Sequence, residues 1–462
     1  MKKKVIYGPP GTGKTTYLMQ LLAEELARTP AEQIAFVSYT RQGTYEGVQR
    51  AIKKFKLTAK QTRYFKTIHS LCFTAVGAKK NLMVSKSHYK LLSEKTGLSF
   101  TGYYSQDFTS TNDAYIHAIS MRKHNPKYAE TLTKILKSRT LKYVDLQYNA
   151  MKSQLGLMDF DDLLLKYLGE GQPLDAKVAF IDEGQDLTPL QWKVIKKLFS
   201  KCESIYVAGD DDQAVYEWAG ANVKEFISFS NDTHVLDQSY RIPAKVMPIA
   251  KRISDDIKIK FPKRFRPQEN QGEVETVGSL SGVKFKGGEL VLARTNWILQ
   301  SLATEIAFRG LPFEIKGVPY VNKMELKAIK AHIAFQKGEL DYNQFKVFRA
   351  YFKEINKNKE WRDVIDMSDA RKLFYVNMLI QNSEKFKPIK FETFHSCKGT
   401  ENDHVVVSAD MSQKVYKHMF HNYDSELRCL YVAMTRTKQK LTLLLPKKGY
   451  FYPQRYFRSE NV

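Results

Sequence analysis

Val5-Ile6-Tyr7-Gly8-Pro9-Pro10-Gly11-Thr12-Gly13-Lys14-Thr15-Thr16 follows an opening run of lysines, and its reading decides the fold. Three apolar residues make a short strand, and Gly8 to Thr15 have the spacing of a P-loop. The amphipathic pattern from Thr16 to Ala27 predicts a helix immediately after it. Strand, glycine-rich loop and helix in that order cradle phosphate, because glycines let backbone N–H groups close around it at a helix N-terminus. Lys14 supplies charge for the β- and γ-phosphates and the Thr15 hydroxyl suits Mg²⁺. Gly8, Gly11, Thr12, Gly13, Lys14, Thr15 and Thr16 are therefore candidate nucleotide contacts.

Such a loop needs a carboxylate site to hold the metal and orient water. Val178-Ala179-Phe180-Ile181-Asp182-Glu183 provides one, a buried-type strand ending in two acids. Asp182 is the candidate metal ligand and Glu183 the candidate to activate the attacking water. Gln185-Asp186 follows, which makes a mere solvated turn a poor account of the pair.

Further β-rich runs occur at Ile34–Ser38 and Ile205–Ala208, then at Leu290–Ala293, Val405–Val407 and Leu441–Leu445. Longer mixed segments separate them, which predicts an α/β fold of doubly wound type, made twice. A helical, Lys- and Tyr-rich stretch interrupts the first α/β region and a shorter one the second. The expected division is 1–70 and 149–245 for the first domain, with 71–148 as a helical insertion. The second domain takes 246–334 and 389–462, with 335–388 as its reduced insertion. Near the joint, Pro243, Pro248, Pro262 and Pro267 accompany Lys258, Lys260, Lys263, Arg264 and Arg266, a cluster that reads first as a solvated loop.

The length of 462 residues with 43% hydrophobic content allows two or three packed domains. A formal charge of +24 suits a polyanionic partner, although a lysine-rich surface would produce the same sum. Cys72, Cys202, Cys397 and Cys429 form no CxxC pair and read as reduced thiols. No apolar run has the length of a membrane span and no signal-peptide core follows the first lysines, so the expectation is a cytoplasmic protein, in the host cytoplasm if viral.

Asp182-Glu183-Gly184-Gln185-Asp186 resembles the DExQD block of superfamily 1 helicases of the UvrD, Rep and PcrA group, and further blocks follow in the same order. These are Thr67-Ile68-His69-Ser70-Leu71, Ala208 to Ala221 (AGDDDQAVYEWAGA), Leu236 to Arg241 (LDQSYR), Thr393 to Glu401 (TFHSCKGTE) and Leu430 to Lys438 (LYVAMTRTK). The resemblance spans Gly8 to about Leu445. It implies two RecA-like P-loop domains in tandem, each with an inserted accessory subdomain, binding ATP and Mg²⁺ between them and single-stranded DNA across their tops. It further implies that Gln213 senses the γ-phosphate, that Arg241 and Arg436 arrive from the second domain as arginine fingers, and that Glu401 contacts the ribose. On the strand side it points to Thr67, His69, Arg294 and His395, and to Tyr39, Tyr216 and Trp218 as stacking faces for bases. The block at Ser38-Tyr39-Thr40-Arg41 departs from the usual pattern of the group.

The implied activity is an ATP-dependent 3′ to 5′ DNA helicase or translocase, with single-stranded DNA, duplex junctions and accessory replication or repair proteins as partners and no membrane. A single-strand-stimulated ATPase or RNA helicase that remodels nucleoprotein complexes with little unwinding stays open beside it. A nuclease built on Asp159, Asp161 and Asp162 ranks well below, as does a hydrolase built on His395-Ser396-Cys397, which lacks an orienting partner.

Overall fold

The computed structural model describes residues 1–39, 41–102, 112–367, 369–381, 386–447 and 449–458. Thr40 and the side chain of Arg41 lie outside the described residues. The chain forms two compact units, one of Met1–Ile242, Ser254–Gln268 and Tyr423–Tyr431, the other of Pro243–Ile253, Glu269–Asn422 and Val432–Val462.

The first unit is organised by a parallel sheet of β1 (Lys2–Tyr7), β2 (Ile34–Ser38), β3 (Val178–Asp182), β4 (Ser204–Gly209) and β5 (Thr233–Val235), in the order β2-β3-β4-β1-β5. Alternation along each strand feeds two cores. Val5, Tyr7, Val37, Ile181 and Val207 face one side, and Ile6, Phe36, Phe180 and Tyr206 the other. On the second face lies α1 (Lys14–Leu26), through Leu18 and Leu22, with Ala51 of α2 (Arg41–Phe55). Chain order reverses at β1, whose neighbours are β4 and β5, so the loop after β1 opens at the switch point where ligands bind in such sheets.

Helices α3 (Ile68–Ala75), α4 (Lys86–Thr96), α5 (Asp113–His124), α6 (Pro126–Ile135), α7 (Ser138–Leu155) and α8 (Phe160–Glu170) fill the interval between β2 and β3. Leu71 of α3 and Leu163 and Leu164 of α8 join the sheet's core, with Val194 and Leu198 of α9 (Pro189–Leu198). Leu92, Phe100, Ile116, Ile119, Val144 and Met151 form a separate core among the intervening helices.

The second unit carries β6 (Glu273–Val277), β7 (Leu290–Ala293), β8 (Phe313–Ile315), β9 (Val318–Pro319), β10 (Ile389–Thr393), β11 (Asn402–Ser408), β12 (Asp410–Met411), β13 (Thr437–Leu444) and β14 (Tyr450–Phe451). Its main sheet runs β6-β13-β11-β7-β10-β8-β9, parallel except for the β8-β9 pair. The doubly wound reading therefore holds in both halves. Strands β5, β6, β8 and β10 were not among the expected runs; three of them contain charged residues that break the apolar pattern, and β5 is only three residues long. Phe345, Trp361, Val364 and Val376, from the interval 335–388, share one buried cluster with Val291 and Phe391 of the sheet.

Leu164 is fully buried between α8 and the first sheet. Leu164→Ala is expected to cost about 2–5 kcal/mol of stability, seen as a lower denaturant midpoint, because the packed site cannot close over the lost volume. A midpoint unchanged from the parent would contradict that packing.

Candidate nucleotide and nucleic-acid site

The loop after β1 is shaped by Gly11 (φ 75°) and Gly13 (φ 78°), both in the left-handed region that a side chain strains. Gly13 caps α1 without a side-chain hydrogen bond, leaving the first-turn N–H groups to the loop. Lys14 Nζ donates to Gly8 O at 2.8 Å, and a Cβ on Gly8 would come 1.9 Å from Lys14 Cγ. Thr12 Oγ1 donates to Pro9 O at 2.8 Å. Thr15 is half-buried in the first turn of α1 and Thr16 is exposed.

Residues 239–241 brace this loop. Ser239 Oγ donates to Pro10 O at 2.7 Å and Tyr240 N to Gly11 O at 2.9 Å. A Cβ on Gly11 would approach Arg241 Cβ to 2.3 Å. Arg241 thus departs from the expectation of an arginine arriving from the second domain. It belongs to the first unit, held there by backbone pairing of its own segment with the phosphate loop.

Asp182 ends β3 and is 6% exposed. Its Oδ1 accepts from Glu183 N at 2.9 Å, and Glu183 takes φ 57°, an uncommon left-handed geometry for a residue with a side chain. Gln185 Nε2 donates to Glu183 Oε2 at 2.5 Å, while Gln185 Oε1 accepts from Asp210 N at 3.1 Å. Gln213 Nε2 in turn donates to Asp210 Oδ2 at 2.7 Å. A continuous chain of hydrogen bonds therefore runs from Glu183 through Gln185 and Asp210 to Gln213. Local sequence marks Gln185 only as part of a block; its role as the bridge depends on the proximity of the β3 and β4 ends.

Past Gln213 the chain reaches the expected aromatics. The Tyr39 and Tyr216 rings lie 5.5 Å apart, Tyr216 and Trp218 6.4 Å, and all three are half-buried. Trp218 is fastened from α5: His117 Nε2 lies 2.9 Å from Trp218 O and its ring 6.1 Å from the indole. Asn125 Nδ2 donates to Gly220 O at 3.4 Å, and at Gly220 (φ 92°) a Cβ would come 2.9 Å from Met121 Sδ. Thr67 caps α3, accepting from Ser70 N at 3.3 Å, and His69 packs edge-on to Phe160 at 5.5 Å.

The acids considered for a nuclease are already paired. Lys152 Nζ lies 2.7 Å from Asp159 Oδ2 and 2.6 Å from Asp162 Oδ2, and Lys123 Nζ 2.6 Å from Asp162 Oδ1. His124 Nε2 meets Asp161 at 2.6 Å. Among the described residues no group of three or more His, Cys, Asp or Glu is arranged to hold a metal. The thiol of Cys397 is buried and pushed up to about 12, which removes it as a nucleophile.

In the second unit, Arg294 is 1% exposed and does not present its guanidinium to solvent, whereas His395 is half-buried just past β10. Arg436, also 1% exposed, donates to Val432 O at 2.8 Å and Thr435 Oγ1 at 3.2 Å. Glu401 is exposed immediately before β11 and pairs with Lys438 Nζ at 2.6 Å.

A phosphate loop on one parallel sheet, an acidic strand end beside it and a second parallel sheet downstream define a P-loop protein with two RecA-like domains in tandem. Residues 1–234 match the family described as UvrD/REP helicase N-terminal domain, and the chain belongs to that family. It is similar to the ATP-dependent DNA helicase Rep of Buchnera aphidicola subsp. Baizongia pistaciae, 24% identical over 374 residues, covering 71% of this chain and 55% of Rep. It is also similar to the ATP-dependent DNA helicase PcrA of Staphylococcus aureus, 24% identical over 296 residues, covering 58% of this chain and 40% of PcrA. The chain thus spans about half the length of these curated relatives.

Gly11→Ala adds a Cβ to a left-handed residue and into Arg241. A fluorescent ATP analogue is expected to bind it roughly tenfold or more weakly, since the strain is about 1–2 kcal/mol before any clash. Parent-like affinity would show that this loop does not hold the phosphates.

His117 is kept neutral because burial lowers its pKa from 6.5 to about 4, the bond to Trp218 O opposing the shift. Its folded pKa is depressed, so the stability it contributes is fully present above about pH 6.5 and is lost as pH falls through about 4. The loss is on the order of a few kcal/mol. Indole fluorescence should report loosening of the Trp218 turn across that window, and His117→Gln should flatten the dependence. An unchanged acid response in His117→Gln would remove His117 from the clamp.

Proposed function

We propose that the chain is an ATP-dependent 3′ to 5′ translocase and helicase acting on single-stranded DNA. The observation that supports this is the Glu183–Gln185–Asp210–Gln213 hydrogen-bond chain, which ends at Gln213, only a few residues before Tyr216 and Trp218 in the sequence. A motor needs a link of this kind, because a change at the phosphate must alter the grip on the strand. Aromatic faces suit the grip, since every base offers a π-face whatever the sequence, and the charge of +24 suits the backbone.

Lys14 and the loop N–H groups would hold the β- and γ-phosphates, and Glu183, fixed by its left-handed backbone and Gln185, would orient the attacking water. The buried Asp182 carboxylate and the Thr15 hydroxyl have the oxygen chemistry that Mg²⁺ takes, and the ion would offset phosphate charge there. Duplex junctions and accessory replication or repair proteins are the partners this reading entails.

Lys14→Ala is expected to abolish turnover, whereas Glu183→Gln keeps nucleotide binding and blocks hydrolysis; equal loss of affinity in both would contradict the division of roles. Trp218→Ala should weaken single-strand binding by roughly 1–3 kcal/mol while the protein stays folded. The deciding assay follows ATP-driven release of a strand from duplexes with a 3′ or a 5′ single-stranded tail, with an RNA strand as a third arm. Release from the 3′ tail is expected, modest for one motor. Preference for the 5′ tail, or ATPase stimulation by RNA alone, would overturn the proposal.

A further inference from the structure

The basic cluster between Lys258 and Arg266 is a feature of the sequence that neither the nucleotide nor the strand contacts use. Most of it behaves as a solvated loop: Arg266 forms an exposed pair with Asp237 at 3.1 Å, and Lys260 donates to Ser254 O at 2.7 Å. Lys263 does not. Its side chain is 3% exposed, and Nζ lies 3.2 Å from Asp210 Oδ1, 2.6 Å from Asp211 Oδ1 and 2.9 Å from Asp212 Oδ2. Those acids are themselves almost wholly buried. Phe261 stacks on Tyr7 of β1 at 3.9 Å and donates its N–H to Asp211 Oδ2 at 2.6 Å, so the segment is seated firmly.

Three adjacent carboxylates in a buried turn repel one another and lose solvation, and without a counter-charge they would take up protons. Burial raises Asp211 to about 6, with Lys263 opposing and the neighbouring acids adding to the rise. The Asp210 carboxylate has the ammonium on Oδ1 and the Gln213 amide on Oδ2. Rotation of the Asp210 carboxylate away from the ammonium would break the grip on Gln213 and with it the chain back to Glu183. Arg428 ties the same turn to the aromatic one, donating to Asp211 O at 2.9 Å and to Glu217 Oε1 at 2.7 Å.

We propose that Lys263 is a positioning residue for ATP hydrolysis: its ammonium, set among Asp210, Asp211 and Asp212, fixes the orientation of the Asp210 carboxylate, so that Asp210 holds Gln213 in register with Glu183. The inference rests on the reading of this unit as part of a strand-stimulated ATPase. The titratable groups facing the ammonium are Asp210, Asp211, Asp212 and Tyr7, with Arg428 over the Asp211 carbonyl and Glu217 beyond it.

The test compares the full chain with Lys263→Met, Lys263→Arg and the double variant Asp211→Asn/Lys263→Met, which removes one charge of each sign. In Lys263→Met, single-stranded-DNA-stimulated kcat should fall about tenfold or more while KM for ATP stays within about twofold. The acidic limb of its pH–kcat profile should move upward by on the order of one unit, because Asp211, already raised by burial, binds a proton more readily without the ammonium. Lys263→Arg and the double variant should recover stimulated turnover and the parent's acidic limb. A Lys263→Met protein with a lower melting temperature but unchanged kcat, KM and acidic limb per folded molecule would reduce Lys263 to a structural tie and overturn the proposal. Should Lys263→Met fail to fold, a folded double variant without stimulated turnover at any pH overturns it, and so does loss of stimulation in Lys263→Arg. A parent protein whose ATPase ignores single-stranded DNA sinks the functional reading itself, which is a different result from stimulation that survives Lys263→Met.

Discussion

A parallel strand buried on both faces has one place for polar chemistry to emerge, the carboxyl end where its backbone stops pairing. In the first unit β1, β3 and β4 all obey this limit. Buried, mostly apolar side chains fill both faces toward their carboxyl ends, and then Gly8, Asp182 and Asp210 appear within a residue or two of the strand ends. The phosphate loop, the acidic pair and the triple-aspartate turn are brought together because parallel register aligns these ends.

Crowding polar groups at strand ends has an electrostatic cost, and the protein meets it by hydrogen bonding and pairing rather than by exposure. Gln185 uses both ends of its amide, one on Glu183 and one on the Asp210 N–H, so a side chain that is 0% exposed is satisfied on both sides. Lys263 and Arg428 come from segments far along the chain and counter Asp210–Asp212 and Glu217. Removing one partner of such a set is much more damaging than the pair's net contribution suggests, because it strands a buried charge. The same logic runs through the helices between β2 and β3, where Lys123 and Lys152 pair with Asp159 and Asp162.

The aromatic turn after Gln213 is held from two directions. Arg428 pins Glu217, while His117 of α5 and Asn125 just past it hold Trp218 and Gly220. A turn restrained in this way can move with the elements that grip it but has little freedom to flex alone.

Composition and periodicity alone determined the α/β class, the phosphate loop and the acidic strand end, because each is local: a strand, a turn and a helix N-terminus follow one another within about twenty residues. The blocks carrying Gln213, Tyr216 and Trp218 were singled out only by their resemblance to blocks of the superfamily 1 helicases. Local pattern could not reveal that Arg241 packs on the loop of its own unit, nor that Lys263 lies against acids some 52 residues away while its neighbours stay in solvent. A lysine in a basic, proline-rich run carries no mark of its burial. Only tertiary packing chooses which charge of a cluster is taken out of water, since the choice depends on where Phe261 docks and where the ends of β1 and β4 already lie.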